Sequence, residues 1–218
     1  MQNVTATKIT RKDLEKVQID HGMVFLDYGL TSQRFLAPTR GGGEFHASVE
    51  LRDIEFDGKV AKTKGAQVID GNAATIKVTL LNMTQENLRL ALPGVLAEKS
   101  EDGKITSPKT GVITDENYLQ NVTVFGKTLD GKYKKFVINN PMSEGELGVT
   151  MQQKAEGELE VEFTAHDSID ELGSDLWAIS DAEKIEDAPE KKPEENTEEK
   201  PTPDTEETDN TEDGSKTE

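Results

Sequence analysis

Apolar and polar residues alternate strictly from Glu158 to His166, with Leu159, Val161, Phe163 and Ala165 on one side and Glu158, Glu160, Glu162 and Thr164 on the other. A period of two over that length predicts a strand with one buried and one wet face. A second alternating run follows Gly41-Gly42-Gly43: Phe45, Ala47, Val49 and Leu51 share a face, the phase slips by one at Arg52-Asp53, and the run resumes at Ile54 and Phe56. Such a slip predicts a β-bulge. The glycine run itself reads as a flexible turn before that strand. Further strands are expected at Ala74 to Leu81, Leu119 to Lys127, Lys132 to Asn139 and Leu147 to Gln153. Asp-Gly pairs at 57–58, 70–71, 102–103 and 130–131 accept the positive φ of hairpin turns, and the last predicts a hairpin. One helix is expected after Thr84 as N-cap, with Met83 packing on Leu88, and Pro93-Gly94 stops it. A turn of helix after Thr10, with Asp13 at its third position, is expected near the N-terminus. Residues Ala97 to Tyr118 show little periodicity and read as a long connection.

The pattern stops near Ile179. From Asp181 to Glu218 the chain has 16 Asp or Glu and 5 Lys in 38 residues, too little apolar surface to fold, so a disordered acidic tail is expected over 181–218. It carries −11 of the formal charge of −18, leaving −7 for the rest. A body of that size hides about 70% of its unfolded surface, enough for one domain. The organisation expected is an N-terminal arm (1–21), a β domain (22–180) and the tail (181–218). The fold class is mainly β: an antiparallel two-sheet β-sandwich or split barrel with one short flanking α-helix.

Candidate chemistry is sparse. The chain has no cysteine, which excludes disulfides and thiolate metal sites. His21, His46 and His166 show no metal-binding spacing, so no metal and no cofactor is expected. His166-Asp167 has no Gly-x-Ser-x-Gly nucleophile to serve, and Gly41-Gly42-Gly43 lacks the Lys-Ser or Lys-Thr of a phosphate loop. Asp167, Asp170, Glu171 and Asp175 lack the order of a calcium loop and read as surface charge. Asn-x-Thr at Asn3, Asn82 and Asn121 carries no weight without a secretion signal, and none is evident. No apolar run is long enough to span a bilayer, so no membrane insertion is expected. With no set of acid, base and nucleophile to nominate, the chain reads as a non-enzyme. Glu158, Glu160 and Glu162 recur about every 7 Å along one face. They are either an ordinary wet sheet face or a wall that repels a passing polyanion, and oligomeric state decides between them.

Several segments together resemble the major tail tube proteins of bacteriophages and prophages. These are Arg34 to Gly42, Phe45, Glu50 to Gly58, Lys64-Gly65, Thr75 to Gly94 with Ala91-Leu92-Pro93-Gly94, and Leu159 to His166 followed by Asp175-Leu176-Trp177. Each is weak alone; their order from about Gly22 to Ile179 carries the resemblance. It implies a two-sheet sandwich with a flanking helix, and hexameric rings whose inner sheets join in a β-barrel and stack into a tube. It further implies DNA transit without specific binding, a tape-measure protein and other tail proteins as partners, and a place in the virion after assembly in the host cytoplasm. Under that implication Glu158, Glu160 and Glu162 face the lumen. The region Arg40 to Gly65, with Arg40, Gly41, Gly42, Arg52, Asp53, Asp57 and Gly58, contacts the next ring. A tail terminator, a hub element or the inner tube of a contractile device share that implied fold. A monomeric ligand-binding sandwich is the alternative outside it, with Tyr28, Tyr118, Tyr133 and Trp177 as its few aromatic candidates.

Overall fold

The run from Glu158 organises one side of the molecule. In the computed structural model, which describes residues 10–20, 22–36, 38–96, 104–108, 110–151 and 156–189, Leu159, Val161 and Phe163 are buried and Glu160 and Glu162 are exposed. This strand, β9 (Glu158–Thr164), pairs with β4 (Gln67–Leu80), and β4 pairs with β3 (Thr39–Asp53). The short β7 (Met142–Ser143) and β8 (Val149–Thr150) bond to the other side of β9. The second sheet has the order β10-β6-β5-β1-β2, with β1 Met23–Leu26, β2 Arg34–Leu36, β5 Asn121–Lys127, β6 Tyr133–Asn139 and β10 Trp177–Ala182. All pairings are antiparallel. The protein is thus a mainly β, two-sheet structure, with two short α-helices among the described residues.

Between the sheets lie Val24, Leu26, Leu36, Val122, Val124 and Ile138 from one side and Ile76, Val78, Leu80, Leu159, Val161 and Phe163 from the other. The strands of the two sheets cross steeply. A Cβ at Gly43 on β3 would stand 3.3 Å from methyls of Val24 and Val124, so β3 there lies over β1 and β5. Two residues on, Phe45 packs on Phe136 of β6 and Trp177 of β10, with ring centres 5.3 and 6.0 Å apart. Farther along the same hairpin, the Trp177 indole N–H donates to Asn72 Oδ1 at 3.1 Å. The hairpin therefore crosses the second sheet strand by strand and leaves it at β10.

Helix α2 (Gln85–Leu90) follows the sequence reading: the Thr84 hydroxyl accepts from the Asn87 N–H at 3.3 Å, and Leu90 and Ala91 enter the core. Gly94, at φ +74°, turns the chain after Pro93. The hairpin at Asp130-Gly131 is present, joining β5 to β6. Helix α1 (Arg11–Glu15) is capped reciprocally by Thr10 and Asp13. It is tied to that hairpin through the Leu129 N–H to the Val17 carbonyl and the Asp130 N–H to the Glu15 carbonyl.

Other expectations shift. Gly41 and Gly42 are inside β3, where Arg40 opposes Thr79 and Gly43 opposes Val78. They form a two-residue bulge at φ +74° and +78°, a conformation glycine adopts without strain. At Arg52-Asp53 the pairing with Val68 and Gln67 is regular; the register shifts two residues earlier, where Glu50 opposes Gly71 and Leu51 opposes Ile69, and the extra residue is Asp70 on β4. Asp70-Gly71 is consequently part of a strand and makes no turn. Among its described residues the run from Leu147 is strand over β8 alone, Gln152 and Gln153 lying outside them, and 97–118 contains a 3-10 turn at Asp115–Asn117. Asp102-Gly103 lies outside the described residues. The strands β1, β2, β7 and β10 are not among those the sequence reading expects. The expected tail boundary at Asp181 falls within β10, whose Asp181 and Ala182 pair with Lys134 and Tyr133. Hydrogen bonds continue to Glu186, whose N–H donates to the Tyr28 hydroxyl at 2.8 Å. Residues 190–218 of the expected tail, and 1–9 and His21 of the expected arm, lie outside the described residues.

Candidate assembly surface

β3 is the longest strand and an edge: across 15 residues it is bonded to β4 alone, and its other side has no strand partner among the described residues. An edge of that length is a template for pairing with another chain unless something covers it. At the opposite edge of the same sheet stand the short β7 and β8.

Beyond β10 the β3–β4 hairpin continues as an arm. From Ala47 to Asp53 it projects about 20 Å at the usual rise per residue. Its core-side phase carries Val49 opposite Asn72 and then Leu51, which faces Ile69 across the ladder. Ile76 and Val78, on the same phase of β4, are fully buried, whereas Leu51 is 56% and Ile69 66% exposed because the second sheet has ended. Ile54 and Phe56, in the loop 54–66, add to the uncovered surface at 43% and 51%. Polar contacts brace the tip. Arg52 Nε holds Asp70 at 2.6 Å, the Ile54 N–H donates to the Ala66 carbonyl at 2.8 Å, and Gln67 Nε2 donates to Asp53 Oδ1 at 2.9 Å. That amide bond from Gln67, assisted by Lys59, holds the Asp53 carboxyl below its ordinary range.

The seven nominated contact residues divide. Arg40, Gly41 and Gly42 sit at the base of the hairpin, and Arg52, Asp53, Asp57 and Gly58 at its tip. The structure does not bring the two groups together, since some twelve residues of strand, about 40 Å, lie between them. The apolar arm residues were absent from the nomination. The apolar residues Ile54 and Phe56, resuming after the slip at Arg52-Asp53 that follows Val49 and Leu51, were the available signal.

Glu158, Glu160 and Glu162 do lie on the solvent face of the β3-β4-β9 sheet, where the register interleaves them with cations. Arg40 bridges Glu156 at 2.7 Å and Glu158 at 2.8 Å, and Lys77 holds Glu160 at 3.0 Å. The hydrogen bond that the Lys77 ammonium donates to Glu160 is the main reason it titrates above its usual range, followed by the charge of Glu160 and then by Glu162 and Glu44. Glu162 forms no ion pair among the described residues. The face is a mixed wall with an acidic surplus, bearing Glu44, His46 and Glu50 on β3 and Thr75 and Thr79 on β4.

The remaining candidates stay apart. His166 Nε2 lies 3.0 Å from Glu144 Oε1, and its ring packs edge-on against Tyr118. Asp167 is occupied by the Gly173 N–H at 2.8 Å and the Ser174 hydroxyl at 3.2 Å; the Gly173 bond chiefly lowers its pKa. Asp167 is therefore turned to its own loop, and the carboxylate on His166 is that of Glu144. His46 sits beside Glu44 on the exposed face. Among the described residues no three His, Asp or Glu converge as a metal site. The aromatic candidates scatter as well: Trp177 seals the seam between sheets, while Tyr28 and Tyr133 join Phe25, Phe35 and Phe125 in a cluster on the outer face of the second sheet.

No family model matches this chain, and no curated protein matches it. Among solved structures, it is similar to a chain of the native gene transfer agent virion, with a TM-score of 0.38 and 13% identity over 73% of this chain and 95% of that one. It is also similar to a chain from the tail of the empty gene transfer agent particle with C6 symmetry, at TM-score 0.34 and 14% identity over 79% and 98%. A third similarity is to a crystallised Hcp protein, at TM-score 0.30 and 10% identity over 75% and 99%.

Proposed function

We propose that this chain is a structural subunit of a phage-type tail tube. Six copies close into a ring, rings stack into a hollow tube, and DNA passes through without specific binding. The observation that carries the reading is the β3–β4 hairpin: a fifteen-residue edge with no partner among the described residues, continuing into an arm whose apolar face is uncovered. A surface of that kind marks a site where another molecule binds, and identical subunits joined head to tail through a rotation close into rings. The order of tube-like segments in the sequence supports the same reading.

In this arrangement β3 of one subunit bonds along the β7–β8 edge of the next, so that the sheets merge into one barrel. The face bearing Glu158, Glu160 and Glu162 then lines the lumen. Its acidic surplus repels phosphate, and its cations are engaged by neighbouring carboxylates. The arm tip, with Arg52, Asp53, Asp57 and Gly58, reaches toward the adjoining ring. The subunit performs no catalysis, acts in the virion tail, and is assembled in the host cytoplasm with a tape-measure protein and other tail proteins. A terminator or hub on the same architecture would be present in few copies per particle, whereas a tube subunit is present in many.

Negative-stain microscopy of the concentrated protein and of particles containing it tests this. Rings or a hollow tube with this chain as the repeating unit are expected. Lone monomers at every concentration, together with a few copies per particle, would contradict the proposal.

A further inference from the structure

In an Asp-Gly pair the side-chain carboxyl and the next backbone nitrogen can close a five-membered ring, because glycine puts no Cβ in the path of attack. Three such pairs fall among the described residues, Asp57-Gly58, Asp70-Gly71 and Asp130-Gly131; Asp102-Gly103 and Asp213-Gly214 lie outside them. Two of the three run on into the same residue, Asp57-Gly58-Lys59 and Asp130-Gly131-Lys132, so sequence alone gives them similar reactivity. The fold separates them. At Asp130-Gly131 both groups needed for ring closure are engaged. The carboxylate accepts from the Thr128 hydroxyl at 2.6 Å and the Lys132 N–H at 3.2 Å, and the Gly131 N–H donates to the Thr128 carbonyl at 3.0 Å. The Thr128 bond first, and then the Lys132 N–H, keep that carboxyl ionised to lower pH than usual, whereas attack requires the protonated acid. At Asp70-Gly71, Arg52 Nε holds the carboxylate at 2.6 Å, and Gly71 stands in the β3–β4 ladder opposite Glu50.

Asp57-Gly58 has neither restraint. It forms the exposed turn at the arm tip, closed by the Lys59 N–H to the Phe56 carbonyl at 3.2 Å. Among the described residues neither the Asp57 carboxylate nor the Gly58 N–H makes a hydrogen bond or an ion pair. Gly58 lies at φ +88°, and a Cβ built on it would meet nothing within 4 Å, so the space around it is open. We propose that Asp57 is a site of spontaneous backbone isomerisation in the free subunit. The Gly58 nitrogen attacks Cγ of the protonated carboxyl, an N–Cγ bond forms, and the hydroxyl leaves as water with the amide proton. Water then opens the cyclic imide. Addition at the side-chain carbonyl breaks the new bond and restores aspartate; addition at the main-chain carbonyl breaks the original peptide bond and leaves isoaspartate, with the chain running through Cγ. The water lost in the first step returns in the second, so the mass is unchanged and no oxidant or reductant is involved. The backbone gains one methylene at the arm tip. This chemistry belongs to the lone subunit and does not depend on assembly; only its consequence, an altered tip where the adjoining ring is met, rests on the tube reading.

Peptide mapping of the full-length protein tests the proposal, after ageing for weeks at high dilution in mildly acidic water enriched in heavy oxygen. Each passage through the imide leaves one heavy oxygen atom, and electron-transfer fragmentation distinguishes isoaspartate from aspartate. Label and isoaspartate should accumulate at Asp57 at least about threefold faster than at Asp130 or Asp70, where ring closure waits for hydrogen bonds to open. In concentrated guanidinium, where the fold is lost, Asp57 and Asp130 should react within about twofold of each other. Asp57→Glu, whose longer side chain would have to close a six-membered ring, should stay folded and take up no label at that position. Equal rates at Asp57 and Asp130 in the folded protein, no isoaspartate at Asp57, the same difference in guanidinium, or label at the substituted position in Asp57→Glu would each overturn the assignment.

Discussion

Replacing Leu51 and Ile69 together by glutamate separates folding from assembly. The two side chains face each other across the arm, more than half exposed in the lone subunit, so their loss should change folding stability by no more than about 1 kcal/mol. Assembly is different. Full burial of a Leu or Ile is worth about 1.5–3 kcal/mol, so covering what remains exposed contributes roughly 2–3 kcal/mol for the pair. Enclosing two unpaired carboxylates then adds a penalty of several kcal/mol. The combined deficit exceeds about 4 kcal/mol per interface, a factor of about a thousand in association, repeated at every junction. The milder Leu51→Ser, Ile69→Ser pair removes only the apolar part and should weaken association about thirtyfold to a hundredfold. Sedimentation velocity reads assembly, and thermal or denaturant unfolding reads the fold. The glutamate pair should melt like the parent and remain monomeric. Parent-like rings would show that the arm's apolar face is no interface, and a folding loss above about 2 kcal/mol would place that face against its own subunit.

Three further outcomes rest on the same geometry. Glu158→Lys, Glu160→Lys and Glu162→Lys together should leave a folded subunit, because the pairs lost to Arg40 and Lys77 are exposed, but should slow DNA release from particles; unchanged infectivity would remove the lumen assignment. Thr84→Ala should cost about 1 kcal/mol in chemical unfolding through loss of the bond to the Asn87 N–H. The Asp130 carboxylate titrates below its ordinary range, chiefly because the Thr128 hydroxyl donates to it and then because of the Lys132 N–H. A lowered folded-state value means that its stabilisation is full above the unfolded carboxylate range, near pH 4, and is lost as pH falls through the folded-state value. The stability gap between parent and Asp130→Asn should therefore narrow on acidification below pH 4, measured by urea unfolding at stepped pH.

How far the sequence reveals the structure depends on whether each residue's partners are near in the chain. The β9 alternation, the Thr84 cap and the Asp130-Gly131 turn depend on neighbours a few residues away, and all three stand where the pattern puts them. Gly41-Gly42 failed as a turn because their bulge is defined by Thr79 and Val78 on another strand. The slip near Arg52 was displaced because the extra residue is on the partner, a distinction one strand's phase cannot carry. The glutamate stripe was visible, yet Arg40 and Lys77, which divide it, come from distant segments. Most telling is the arm: Val49, Leu51 and Phe45 have the same periodicity, and only the point at which β10 ends makes one of them core and the others exposed.

Whether the bare β3 edge joins subunits into a closed wall is decided by a cryo-microscopy reconstruction of the assembled form. Six-fold rings are expected, in which β3 forms a backbone ladder with the β7–β8 edge of the next subunit, Glu162 points to the axis, and Leu51 and Ile69 are covered. An assembly with β3 open to solvent, or with the second sheet lining the channel, would contradict that joining.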